Sequence, residues 1–181
     1  QKNLNDERHG TVLSALKNHK IESVIDIGCA EGRFLKLLLH ERQFKKIVGM
    51  DVSFKSLEIA GKKLKLDQLP SLQKERIQLI HGSLMYRDQR FDGFDAATVI
   101  EVIEHLEPYR LAAFERVLFE CAQPKLTVIT TPNVEYNVLW ATLPAGKFRH
   151  PDHRFEPGSH RQYHRSGSGD PSEGANHLLH R

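Results

Sequence analysis

Between Leu4 and about Gln123 the chain alternates stretches of helical spacing with short, continuous apolar runs. Val12, Leu13 and Leu16 share one face of an opening helix over residues 5–18, which His19-Lys20 closes. The run Ser23-Val24-Ile25-Asp26-Ile27-Gly28 is too short for a helix and is β-branched, so it reads as a buried strand. Phe34, Leu35, Leu37, Leu38 and Leu39 then mark a helix over 33–42, followed by a strand over 46–51. Ser53 is placed to cap a third helix reaching to about Leu66, and Pro70 breaks the pattern. Further strands are predicted over 77–81, 94–100 and 126–130, with a helix over 108–121 before the last of them. Apolar strands alternating with helices of this length predict a parallel sheet covered on both faces, a doubly wound α/β architecture. Its ligand belongs at the carboxyl ends of the strands.

From Pro157 to Arg181 the pattern stops, and only Tyr163, Ala175, Leu178 and Leu179 are apolar. Such a segment builds no core, so a disordered tail is expected there, with the folded domain over 1–156. Composition narrows the class further. The 181 residues are 39% hydrophobic and 27% charged, with a formal net charge of +3. No stretch nears the roughly 18 consecutive apolar residues of a membrane span, and a charge this small does not by itself argue for a nucleic-acid partner. Cys29 and Cys121 form no CxxC or CxxH pair, which leaves neither a disulfide framework nor a structural zinc site and points to a reducing, cytoplasmic setting. The start at Gln1, without a signal segment, reads as an internal fragment of a longer chain. Of eleven histidines, His150, His153, His160, His164, His177 and His180 lie beyond Arg149.

Chemistry gathers first at the end of the first strand, in Asp26-Ile27-Gly28-Cys29-Ala30-Glu31-Gly32. Glycines at a strand-to-helix turn let a ligand approach the backbone, and the next helix offers free N–H groups. The G-x-G-x-x-G spacing of a diphosphate site is absent, and the acid ahead of the loop suits a cationic sulfonium amino acid. Asp51 ends the second strand, where a carboxylate can accept both hydroxyls of a ribose. The loop and Asp51 resemble the S-adenosylmethionine site of class I (Rossmann-like) methyltransferases, in which Ser83 and Leu84 fall in the region that contacts adenine.

A second cluster follows the fourth strand: Glu101-Val102-Ile103-Glu104-His105-Leu106. If this segment is helical, Glu101, Glu104 and His105 share a face at i, i+3 and i+4, and their crowded negative charge calls for a cation. Mixed oxygen and nitrogen donors make a candidate metal site, with His153 the preferred fourth ligand and His150 the second choice. The competing reading is a solvated helix face.

Three segments in order carry a closer likeness: 101–106, then Thr131-Pro132-Asn133-Val134-Glu135-Tyr136-Asn137, then Phe148-Arg149 with Asp152-His153-Arg154-Phe155-Glu156. Together with the Asp26 loop and Asp51 they resemble the small-RNA 3′-terminal 2′-O-methyltransferases of the Hua-enhancer type, in particular the methyltransferase domain of the bacterial form. The resemblance implies methyl transfer from S-adenosylmethionine to the 2′-hydroxyl of an RNA 3′ end that carries free 2′,3′-hydroxyls. It implies a Mg²⁺ or Mn²⁺ ion held by Glu101, Glu104, His105 and His153, with two nitrogen ligands favouring Mn²⁺. His105 or a metal-bound carboxylate such as Glu104 takes the proton. It also implies an upstream domain that works with a polynucleotide kinase-phosphatase in RNA repair. Lys147, Arg149 and Arg154 are candidates for terminal phosphates, and Asn133 and Tyr136 for the terminal nucleotide. The alternatives are a fragment that binds cofactor or RNA without catalysis, and a zinc metallohydrolase built on the same four ligands, which leaves Asp26, Gly28, Gly32 and Asp51 without a role.

The chain departs from the family at two places. Ala30 stands where the family commonly has glycine, a change expected to cost little. After Glu156 the family continues into a helix and the last two strands of its sheet, whereas Pro157 and the glycine- and serine-rich tail follow here. Loss of those strands predicts a fifth strand left as an open apolar edge, lower stability and a loose fourth ligand.

Overall fold

The computed structural model describes residues 4–83 and 85–131, and the backbone of 176–180. Each predicted apolar run is a strand: β1 (Ser23–Ile27), β2 (Lys46–Asp51), β3 (Ile77–His81), β4 (Ala96–Ile100) and β5 (Leu126–Thr130). They form one sheet in the order β3-β2-β1-β4-β5, all parallel, with β6 (Asn176–His180) antiparallel on the outer edge of β5. The order reverses beside β1, so β1 and β4 diverge at the switch point where such sheets bind ligands.

Strand alternation sends side chains to two cores. Val24, Ile47, Ile77, Ala96 and Leu126 meet α1 (Leu4–Asn18), α2 (Arg33–His40) and α3 (Phe54–Lys63) through Val12, Leu16, Phe34, Leu35, Leu38 and Leu57. Ile25, Val48, Ile80, Ala97 and Val99 face Phe91, Phe94 and Phe114, the last on α5 (Pro108–Arg116). A one-turn helix, α4 (Ser71–Lys74), leads into β3. Ser53 caps α3 by accepting the Ser56 N–H at 3.2 Å, as expected, but the helix ends earlier than Leu66 because Lys65 turns left-handed at φ 51°. The helix expected to run to Cys121 is regular only to Arg116 and widens into π turns over Val117–Ala122, which keep Val117, Leu118 and Ala122 buried. No helix among the described residues is long and apolar enough to cross a membrane.

The edge of β5 requires a correction. It is not open: Leu126 to Thr130 pair with His180 to Asn176. Composition excluded a core in this segment, but edge pairing needs only backbone N–H and C=O groups, and the unpaired ladder of β5 supplies them. The open-edge argument for low stability therefore loses its premise at β5.

Candidate cofactor cradle and acceptor site

The turn after β1 is wound by three left-handed residues: Gly28 at φ 76°, Ala30 at 46° and Gly32 at 79°. The end of β2 shapes it. Met50 O accepts the N–H groups of Gly28 at 2.8 Å and Cys29 at 3.0 Å, and the Asp51 carboxylate accepts those of Ala30 at 2.9 Å and Ser53 at 2.8 Å. A carboxylate has about four acceptor positions, so Asp51 braces the loop and keeps capacity for a ribose diol. A Cβ at Gly28 would lie 2.4 Å from Cγ2 of Val102, which ties this loop to the segment that carries Glu101 and Glu104. At Gly32 the crowding is with Ala60 and Leu64 of the α3 region, at 3.1 and 3.2 Å.

Ala30 is costlier than expected. A Cβ in the left-handed region is disfavoured by about 1–2 kcal/mol, of which the extra chain entropy of glycine offsets part. Ala30→Gly is expected to raise stability by about 0.5–1 kcal/mol, read as a higher urea midpoint at unchanged slope. A lower midpoint would show that the loop gains nothing from glycine.

Asp26, on β1 beneath the loop, is 2% exposed, and the Thr98 hydroxyl of β4 donates to it at 2.7 Å. Burial pushes its pKa up to about 7; the Thr98 hydrogen bond opposes this and the Asp51 charge adds to it. Burial, helped by Asp26 and Asp51, likewise pushes the Cys29 thiol up, which keeps it protonated and unreactive. Ser83 accepts the Met85 N–H at 3.1 Å, which shapes the turn after β3; Leu84 lies outside the described residues. Val52, which follows Asp51, is 67% exposed, an apolar surface that sequence reasoning passed over.

At the end of β4 the helical-face argument does not hold. Only Ile103–His105 form a single 3-10 turn, and Glu101 precedes it in the left-handed region at φ 54°. Glu104 is wholly buried, His105 is exposed and Glu101 is half-buried. The Glu101 N–H continues the β4–β5 ladder to Thr130 O at 2.9 Å, and the backbone leaves the sheet there. The cation that the crowded carboxylates called for is, at Glu101, the guanidinium of Arg8 from α1, in a partly buried ion pair. No local pattern signals Arg8, since 93 residues separate the partners. Next to it His9 is buried against Phe34, with ring centroids 5.5 Å apart; burial lowers its pKa while Glu101 opposes the shift.

Among the described residues no group of three or more His, Cys, Asp or Glu side chains is gathered as a metal cage. Asn133, Tyr136, Lys147, Arg149, His150, His153 and Arg154 lie outside the described residues.

Comparison with known proteins identifies the family and the fold. A family model described as a methyltransferase domain matches residues 5–168. The small RNA 2′-O-methyltransferase of Rattus norvegicus is 37% identical over 155 residues, which is 83% of this chain but 38% of the relative. The namesake from Xenopus tropicalis is 37% identical over 159 residues, covering 84% and 42%. The crystal structure of the methyltransferase domain of bacterial CtHen1 superposes with a TM-score of 0.77 at 52% identity, covering 83% of this chain and 77% of that one. The small RNA methyltransferase HEN1 gives 0.75 at 31%, covering 84% and 20%. The chain thus spans 38% of the length of the first of these curated relatives.

Proposed function

The chain belongs to the methyltransferase-domain family, on the branch of the small RNA 2′-O-methyltransferases, and from that premise we propose that it moves the methyl group of S-adenosylmethionine to the 2′-hydroxyl of an RNA 3′-terminal nucleotide. The observation that carries the reading is the junction of the two half-sites: the left-handed loop braced by Asp51 packs through Gly28 against Val102, between Glu101 and Glu104. In this reading the contact sets the cofactor loop beside the acceptor segment, the proximity that a transfer needs. In this reading Asp51 binds the cofactor's ribose, Asp26 faces its cationic amino-acid end, and Val52 and Ser83 line the adenine.

By type, carboxylates and imidazoles are donors that suit a divalent cation. Glu104 is a carboxylate with no solvent exposure, and buried charges are held in proteins by pairing or by metal. Glu101, Glu104 and His105, joined by His153, would hold Mg²⁺ or Mn²⁺, and the ion would supply Lewis acidity that makes a ribose hydroxyl a better nucleophile. In this reading the hydroxyl proton goes to His105, which is exposed, or to Glu104. Arg8 balances the charge of Glu101 and keeps that carboxylate at the strand end. A terminal 3′-phosphate or 2′-deoxyribose lacks the paired hydroxyls and is excluded as substrate.

The test is tritiated S-adenosylmethionine with a short RNA bearing 2′,3′-hydroxyls, with and without Mn²⁺, beside 3′-phosphate and 2′-deoxy controls. Metal-dependent label on the diol end alone is expected. Cofactor binding without label at high enzyme concentration would make the chain a binding fragment, and label on the 3′-phosphate RNA would sink the diol requirement.

A further inference from the structure

At the carboxyl ends of β2 and β3 one side chain ties the two strands together. His81 closes β3 in register with Asp51 of β2, and its imidazole Nε2 lies 2.9 Å from Val52 O. A carbonyl oxygen only accepts, so Nε2 carries a proton and donates it. The same ring meets Phe54, the first residue of α3, edge to face, with centroids 6.4 Å apart and planes at 71°. His81 therefore holds the crossing from β2 to α3 on both sides of the cap Ser53. The end of β3 is itself anchored. Arg90, paired with Asp88, donates from Nη2 to His81 O at 3.1 Å, and the Gly82 N–H donates to Asp51 O at 3.1 Å.

The crossing carries groups assigned above to the cofactor: the Asp51 carboxylate, which accepts the N–H groups of Ala30 and Ser53, and the exposed Val52 side chain. Val52 lies past the last residue of β2 and before the helix, so neither regular element sets the direction of its carbonyl. We infer that His81 is a positioning residue of the cofactor site: by donating to Val52 O it fixes the turn that aims Asp51 at the ribose and Val52 at the purine. The inference rests on the proposed cofactor site and adds to it a residue that acts through Val52. The acceptor segment follows β4, which β2 and β1 separate from β3 in the sheet, so the effect belongs to cofactor affinity and not to the transfer step.

The experiment uses the whole chain, with turnover of S-adenosylmethionine on the 2′,3′-hydroxyl RNA and calorimetric binding of S-adenosylhomocysteine. His81→Phe keeps a ring against Phe54 and removes the donor. It is expected to raise the KM for S-adenosylmethionine and the Kd for S-adenosylhomocysteine about fivefold, with kcat and the KM for RNA unchanged. His81→Leu, a second variant without the donor, should match it. His81→Gln gives up the ring but returns an N–H donor, and is expected to bring both constants to within about twofold of wild type. Val52→Ala should weaken the cofactor by itself and cost less in the His81→Phe background, the coupling of a residue that acts through Val52. Unchanged KM and Kd in the Phe and Leu variants, a Gln variant as weak as they are, or strictly additive losses overturn the role. A KM for RNA that rises in step with that for the cofactor also overturns it, because it marks a general loss of fold. RNA left unlabelled by the wild type defeats the transfer reaction alone, and calorimetry still decides His81. Failure of the wild type to bind S-adenosylhomocysteine defeats the cofactor site and this role with it, whereas wild-type binding that the Phe and Leu variants share overturns His81 alone.

Discussion

Glu104→Gln is expected to lower methyl transfer by about 100- to 1,000-fold while leaving cofactor affinity within about twofold and thermal stability unchanged or higher. The argument rests on burial. Glu104 has no exposed surface, although it stands in a 3-10 turn with Ile103, itself buried, and His105, which is exposed. An ionised carboxylate out of water is costly unless it is paired or serves the reaction, and stability and turnover measured together tell these apart. A residue kept for folding would lower Tm on removal; one kept for the reaction would lower turnover and leave Tm unchanged or higher. Glu104→Gln preserves shape, which separates the lost charge from the cavity that Glu104→Ala leaves. Undiminished transfer in both variants would remove Glu104 from the acceptor site, and a sharp fall in Tm with loss of cofactor binding would assign it to the scaffold.

Asp26→Asn is expected to change the pH dependence of stability more than any other substitution. The folded-state pKa is raised to about 7 from an ordinary 3.8, first by burial. The folded protein therefore retains a proton that the unfolded chain releases. The stability this group contributes is fully present below about 4 and is lost as pH climbs through about 7, a span on the order of 4 kcal/mol for three pKa units. The Asn variant lacks this decline: it should match wild type near pH 4 and exceed it at pH 8, while its side-chain oxygen still accepts from Thr98. Urea melts of both proteins across that range read the difference directly, and parallel curves would show that Asp26 does not titrate in the native state. Affinity for a cationic cofactor should behave oppositely, rising in the wild type as Asp26 ionises through about 7 and staying weak and flat in the variant.

Much of this architecture was legible in the sequence because its determinants are local. The runs that became β1 to β5 are β-branched and too short for helices, and the capping hydroxyl of Ser53 and the break at Pro70 lie next to what they terminate. The glycine turn after β1 was legible for the same reason, since Gly28 and Gly32 stand where the chain has to turn left-handed. The identities of Glu101, Glu104 and His105 were visible, but their geometry was not. A spacing of i, i+3 and i+4 gathers side chains only on a regular helix, and Glu101 stands in the left-handed region, outside right-handed helical geometry.

The sequence by itself determined the alternation of strands and helices, the glycine turn after β1 and the carboxylate that ends β2, because each follows from neighbours within about one turn of chain. Only the tertiary structure decided which charges are buried and which are answered. It placed Asp26 and Glu104 out of water, set Arg8 on Glu101 across 93 residues, made Ala30 left-handed through the pull of Asp51, and drew Asn176–His180 onto β5. Desolvation and long-range pairing depend on where distant segments meet, and no local spacing encodes that.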